Sequence, residues 1–124
     1  IYKVSAKFDN IGGLKERSSV KVGGVVVGRV SRIYLDEREL IPVVEMEIST
    51  SYEQTFPETS SVSILTAGLL GEQYIGLTPG FVFPGEDPIY IGDKEGETKY
   101  IVDTKSALVL EDLIGQFLFG KDSE

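Results

Sequence analysis

Two carboxylate pairs, Glu45/Glu47 and Glu95/Glu97, are the first places to look for chemistry. Members of an i, i+2 pair on a strand share one face, so each pair could form an acid/base couple or a cation site. Glycoside hydrolysis needs a carboxyl shielded by apolar groups and aromatic platforms for the sugar, and the chain has no Trp. Solvated strand faces or turns are the better reading of both pairs. Asp93-Lys94-Glu95-Gly96-Glu97 loosely follows a calcium loop but lacks the full ligand set, and reads as an acidic turn. The chain contains neither His nor Cys. That removes the usual general base, the thiolate nucleophile and the usual ligands of transition metals. Gly23-Gly24-Val25-Val26-Val27-Gly28 is glycine-rich, but β-type residues follow it where a phosphate cradle needs a helix N-terminus. The reading is a non-enzyme, with no catalytic residue, metal ligand or cofactor assigned.

The apolar pair Leu69-Leu70, flanked by Gly68 and Gly71, is the more unusual feature. It falls between two strand-like runs, at the apex of an expected hairpin. Successive side chains on extended backbone point to opposite faces, so both leucines cannot enter one barrel. Either the tip meets a partner, a membrane or a ligand, or the loop folds back to cap its own barrel.

The chain has 124 residues, of which 41% are apolar, as expected for one globular domain with a modest core. Its net charge of −8 opposes contact with phosphate backbones, so nucleic acid is not an expected partner. The charge is unevenly placed. Residues 1–35 carry Lys3, Lys7, Lys15, Arg17, Lys21, Arg29 and Arg32 against Asp9 and Glu16, a balance of +5; the remainder balances at −13. The basic part could face anionic lipid or an acidic neighbour, although solvated strand faces are the plainer account. No apolar run reaches the ~18–20 residues needed to span a bilayer. The chain opens at Ile1-Tyr2 inside a strand-like pattern without a starting Met, and reads as a fragment of a longer protein.

The elements that must position these residues are mostly strands. Tyr2, Val4, Ala6 and Phe8 alternate with Lys3, Ser5 and Lys7, the pattern of a half-buried strand. Asp9-Asn10-Ile11-Gly12-Gly13 is a turn. Val20 and Val22 start another strand, stopped by Gly23-Gly24. From Val25 to Leu35 the alternation slips around Gly28 and Arg29, which suggests a bulge. Leu40 to Ile48 sets Val44, Met46 and Ile48 opposite Glu45 and Glu47, with Pro42 favouring an edge or a strand start. Val62–Leu65 and Gln73–Leu77 flank the tip, and Ile89–Ile91 and Lys99–Val102 are short candidates within a loop-like stretch. After Asp103 the period changes. Val109, Leu110, Leu113, Ile114, Phe117 and Leu118 recur at helical spacing, with Asp103 or Thr104 as cap and Gly120 as stop. With Ala107 they cover an arc of about 180°. The helix could pack on its own barrel or against other chains. The expectation is an all-β fold: a small barrel of about seven strands over residues 1–103, then a C-terminal α-helix and tail over 104–124.

Four runs carry a resemblance. Phe8-Asp9-Asn10-Ile11-Gly12-Gly13-Leu14 and Val20 to Val30 resemble the MCE (mammalian cell entry) domain. Ser63 to Tyr74 and Asp103 to Leu118 are similar to the MlaD-like branch of that family, found in proteobacterial systems that maintain outer-membrane lipid asymmetry. The resemblance implies a small β-barrel that assembles into a homo-oligomeric ring, a hexamer, in the periplasm. It implies an N-terminal transmembrane anchor in the inner membrane, and partnership with an ABC permease, an ATPase and accessory subunits. Phospholipid would pass through the central pore to or from a soluble periplasmic carrier. The pore-loop leucines would be Leu69 and Leu70. The helix bearing Val109, Leu110, Leu113, Ile114, Phe117 and Leu118 would extend the pore. Arg17 stands where many MCE domains have Gly, and the loop from Thr78 to Lys99 is given no role. The alternative reading is a monomeric β-barrel adaptor that uses the same tip and helix to bind another protein.

Overall fold

The alternation of Tyr2–Lys7 becomes strand β1, and the computed structural model, which describes residues 1–94 and 96–107, sets seven more strands around it. These are β2 (Ser19–Val22), β3 (Val25–Leu35), β4 (Pro42–Ile48), β5 (Ser61–Ala67), β6 (Glu72–Thr78), β7 (Tyr100–Ile101) and β8 (Asp103–Lys105). A single 3₁₀ turn covers Thr50–Tyr52. The strands form one sheet in the order β7-β1-β4-β3-β2-β6-β5-β8. Its two outer strands, β7 and β8, are separated in the chain by Val102 alone. The ends of the sheet are thereby held together, and the result is a nearly closed barrel of eight strands, close to the expected seven.

Closure needs strands that bend, and β3 supplies the bend. Its register slips opposite β2 between Val20 and Lys21, and opposite β4 between Val30 and Arg32. These two bulges bracket the expected slip at Gly28 and Arg29. They bring Val27, Val30 and Ile33 to the core side at a spacing of three, where a flat strand would use two. Gly28 sits at the tightest point. A Cβ there would lie 2.3 Å from the Glu47 carbonyl oxygen of β4, closer than any side chain can be accommodated.

The core gathers the inward faces of β1 to β6. Val4, Ala6, Phe8, Val20, Val30, Val44, Met46, Ile48, Val62 and Ile75 are all but inaccessible to solvent. Each large aliphatic side chain so buried contributes about 1.5–3 kcal/mol. Ser5 and Val43 are buried too, although they point to the outer face. For Ser5 the cover comes from the loop after β6: its hydroxyl donates to Asp93 Oδ2 at 2.8 Å, and Asp93 N donates to the Lys3 carbonyl at 2.7 Å. Within that loop Tyr90 makes one bridge to Pro57, in place of the strand expected at Ile89–Ile91. Asp103 and Thr104, read as helix caps, belong to β8 and pair in parallel with Ser61 and Val62. The apolar stripe Val109, Leu110, Leu113, Ile114, Phe117 and Leu118 lies outside the described residues.

Candidate functional site

The β5–β6 ladder runs unbroken from Ser61↔Thr78 to Ala67↔Glu72, so the tip Gly68-Leu69-Leu70-Gly71 stands at the end of a seven-rung hairpin. Both glycines adopt positive φ, 67° and 78°, which closes the turn. Leu69 is 106% and Leu70 96% exposed. The tip does not fold back on the barrel. Two leucines are instead presented to solvent.

Just below the tip, at the Thr66↔Gln73 rung, the hairpin is held by two of the other motifs. The turn after β1 is shaped by Asn10, whose Oδ1 accepts from Gly12 N at 2.8 Å. Gly13 N donates to Gln73 Oε1, two residues past the tip. Ser106 Oγ accepts from Asp9 N at 2.9 Å and Asn10 N at 3.2 Å, and Ala107 N donates to the Asn10 carbonyl at 3.1 Å. A Cβ on Gly12 would lie 2.6 Å from Gln73 Oε1 and 2.8 Å from Ala107 Cβ, so three distant stretches converge on one glycine. The chain therefore leaves Ala107 beside the base of the tip.

Beneath Leu70 runs an open groove of about 520 Å³. Lys15, Arg17, Lys21, Gln73 and Tyr74 line it, and Glu16 and Glu72 also border it. The Lys21 ammonium lies 4.8 Å from the centre of the Tyr74 ring. Among the described residues none of the three cations is in an ion pair, whereas Lys3, Lys7, Arg32 and Lys99 all are. Sequence reasoning missed this groove. Its one signal was the basic excess of residues 1–35.

Arg17 belongs to a tight turn in which Ser18 N donates to the Lys15 carbonyl at 3.1 Å. It is the third residue of that turn, with φ of 75°. A positive φ at this place is ordinarily left to Gly. The left-handed conformation costs an L-residue roughly 1–2 kcal/mol. The turn thus keeps its glycine-type geometry with Arg in place, held by Arg17 N donating to the Val30 carbonyl at 2.8 Å.

Of the carboxylate pairs, Glu45 lies in β4, away from the tip, and Glu95 lies outside the described residues. Glu45 receives Lys3 at 3.4 Å and Arg32 at 3.8 Å, so its charge is neutralised from both sides. Lys94 and Glu97 exchange two backbone hydrogen bonds, 3.0 and 2.9 Å, around the acidic turn. Lys7 is raised above the ordinary lysine range, first by its hydrogen bond to Glu39, and Asp36 is lowered by accepting from the Glu39 and Arg38 amides. Tyr2 is pushed up to about 12 by burial and then by the nearby charge of Glu53. Its hydroxyl donates to the Tyr52 carbonyl at 2.9 Å. Among the described residues no group of three acidic side chains could hold a metal ion.

Residues 2–80 match the family model described as MlaD protein. The intermembrane phospholipid transport system binding protein MlaD of Escherichia coli is 54% identical over 123 residues, covering 99% of this chain and 64% of the relative. The Haemophilus influenzae protein of the same name is 56% identical over 119 residues, covering 96% of this chain and 67% of the relative. This chain thus spans roughly two thirds of the length of these relatives. A chain in the Acinetobacter MlaFEDB complex, in an ATP-bound conformation, superposes with a TM-score of 0.71 at 26% identity, covering 94% of this chain and 80% of that one. With its barrel and its Gly68–Gly71 hairpin, the chain belongs to the MlaD family.

Proposed function

We propose that this domain is the periplasmic lipid-binding part of a phospholipid transport system, and that it conducts lipid without chemical change. The observation that carries the reading is the pair of fully exposed leucines at the end of a rigid hairpin. Acyl chains leaving a bilayer lose about 0.8 kcal/mol for each CH₂ that meets water. A homo-oligomeric ring, a hexamer, would bring copies of Leu69 and Leu70 around one axis and give those chains an apolar passage. Weak, non-directional contact suits a conduit, since tight binding would trap the lipid.

Family membership and sequence pattern support the remaining parts of the proposal. The ring works in the periplasm, anchored to the inner membrane by an N-terminal transmembrane segment. It works with an ABC permease, an ATPase that supplies the energy, accessory subunits and a soluble periplasmic lipid carrier, and so maintains outer-membrane lipid asymmetry. The stripe Val109, Leu110, Leu113, Ile114, Phe117 and Leu118 extends the same passage. Support for this comes from Ala107, which is fixed just below the tip.

The test is the double substitution Leu69→Asn and Leu70→Asn in the full-length protein. The expected result is a ring that still assembles, carries several-fold less co-purified phospholipid, and leaves the outer membrane sensitive to detergent. A variant with normal lipid content and normal detergent resistance would overturn the reading, as would a full-length parent protein that is strictly monomeric in solution.

A further inference from the structure

We propose that the groove beneath Leu70 is a headgroup site, in which Lys15, Arg17 and Lys21 hold the phosphodiester of a phospholipid while its acyl chains lie on the leucine tip. The inference rests on the lipid reading above and adds to it a polar half of the substrate. Three observations meet here. The groove is lined by three cations, none of them in an ion pair among the described residues. It is continuous with Leu70, which is 96% exposed, so charge and apolar surface adjoin as they do in an amphiphile. And Arg17 occupies a left-handed position that Gly would fill without strain. Strain kept in place at a ligand-facing side chain points to a use for that side chain.

Guanidinium and ammonium groups are the side chains suited to phosphate oxygens, through charge-assisted hydrogen bonds. Lys21 is steadied over the Tyr74 ring, 4.8 Å from its centre, which limits the freedom it would lose on binding. Glu16 and Glu72 on the border keep the net charge of the groove low. The contact is therefore weak and reversible, as a conduit requires. Its exposure to water sets the scale: each cation adds roughly twofold to affinity, and the three together on the order of tenfold.

The experiment titrates the whole chain with three soluble probes: dihexanoylphosphatidylglycerol, uncharged dihexanoylglycerol and inorganic phosphate. The parent protein should prefer the phospholipid to dihexanoylglycerol by roughly tenfold and bind inorganic phosphate far more weakly than either. Combining Lys15→Gln, Arg17→Gly and Lys21→Gln should bring the preference to about one. Arg17→Gly alone should lower it roughly twofold while melting no lower than the parent, because the turn is relieved. Leu69→Asn with Leu70→Asn should weaken both amphiphiles alike, leaving the preference in place.

A preference unchanged in the triple variant would overturn the proposal. So would inorganic phosphate competing as strongly as phospholipid, which would make this a free-anion site. Loss of self-association in the triple variant with its lipid preference intact would assign the cations to a protein contact and overturn it as well. A parent protein that binds neither amphiphile would sink the lipid reading itself, and this site with it.

Discussion

The wall formed by β1, β4 and β3 and the tip of the β5–β6 hairpin both use aliphatic side chains, to opposite ends. In the wall Val4, Val30, Val44 and Met46 are sealed from solvent, and even the outward Ser5 is covered. At the tip Leu69 and Leu70 are fully exposed to solvent. The glycines divide in the same way. Gly28 is required because β4 leaves no room for a Cβ, whereas Gly68 and Gly71 face open space and serve only to turn the backbone. Stability therefore resides in the wall, and the tip is free to be chosen for what it meets.

The largest expected effect tests the wall. Gly28→Ala drives a methyl against the Glu47 carbonyl, and β3 must move or lose its pairing with β4. The cost should be ~3 kcal/mol or more, lowering Tm by roughly 10 °C. A thermal melt within two or three degrees of the parent, read by circular dichroism, would show that the wall yields more easily than its geometry indicates. The next effect tests the tip. Leu69→Asn and Leu70→Asn remove no buried surface, so stability to urea should stay within about 0.5 kcal/mol of the parent while lipid content falls. A large loss of stability would mean that the tip is packed in the folded protein, and the contrast with the wall would fail.

How much of this could be read from the sequence follows the same division. The alternation in Tyr2–Phe8 and Val44–Ile48 is legible because one face of each strand is buried and the other is polar. Ser5 is not, because its cover comes from Asp93, far along the chain in a stretch without periodicity. In β3 the break at Gly28 could be seen, but the resulting inward spacing of Val27, Val30 and Ile33 depends on two bulges whose positions are set by the neighbouring strands. β8 escaped notice because Asp103-Thr104-Lys105 is polar and takes its strand form only from pairing with β5. The leucine tip stood out because two exposed leucines between glycines have no local explanation. The groove below it did not, since Lys15, Arg17 and Lys21 are brought together with Gln73 by folding alone.

The smallest effect sharpens the comparison by titration. Tyr2 belongs to the wall, where burial and then the charge of Glu53 raise its phenol from 10.0 to about 12. Between those values the folded chain holds a proton that the unfolded chain has released. The contribution is thus complete below pH 10, and it is lost as pH rises toward 12. Lys7, raised chiefly by its hydrogen bond to Glu39, gives a loss of the same sign, but that loss is shared by any variant that keeps Lys7. Urea midpoints of the parent and of Tyr2→Phe, compared at about pH 9 and about pH 11, isolate the phenol. The variant should start lower, since it lacks the hydrogen bond to the Tyr52 carbonyl, and then lose less on the way up. Parallel losses in the two proteins would place Tyr2 in a more solvated setting than the wall provides. The alkaline sensitivity would then have to come from Lys7 and Tyr100, both raised in the folded chain, which would reduce the contrast between wall and tip to packing alone.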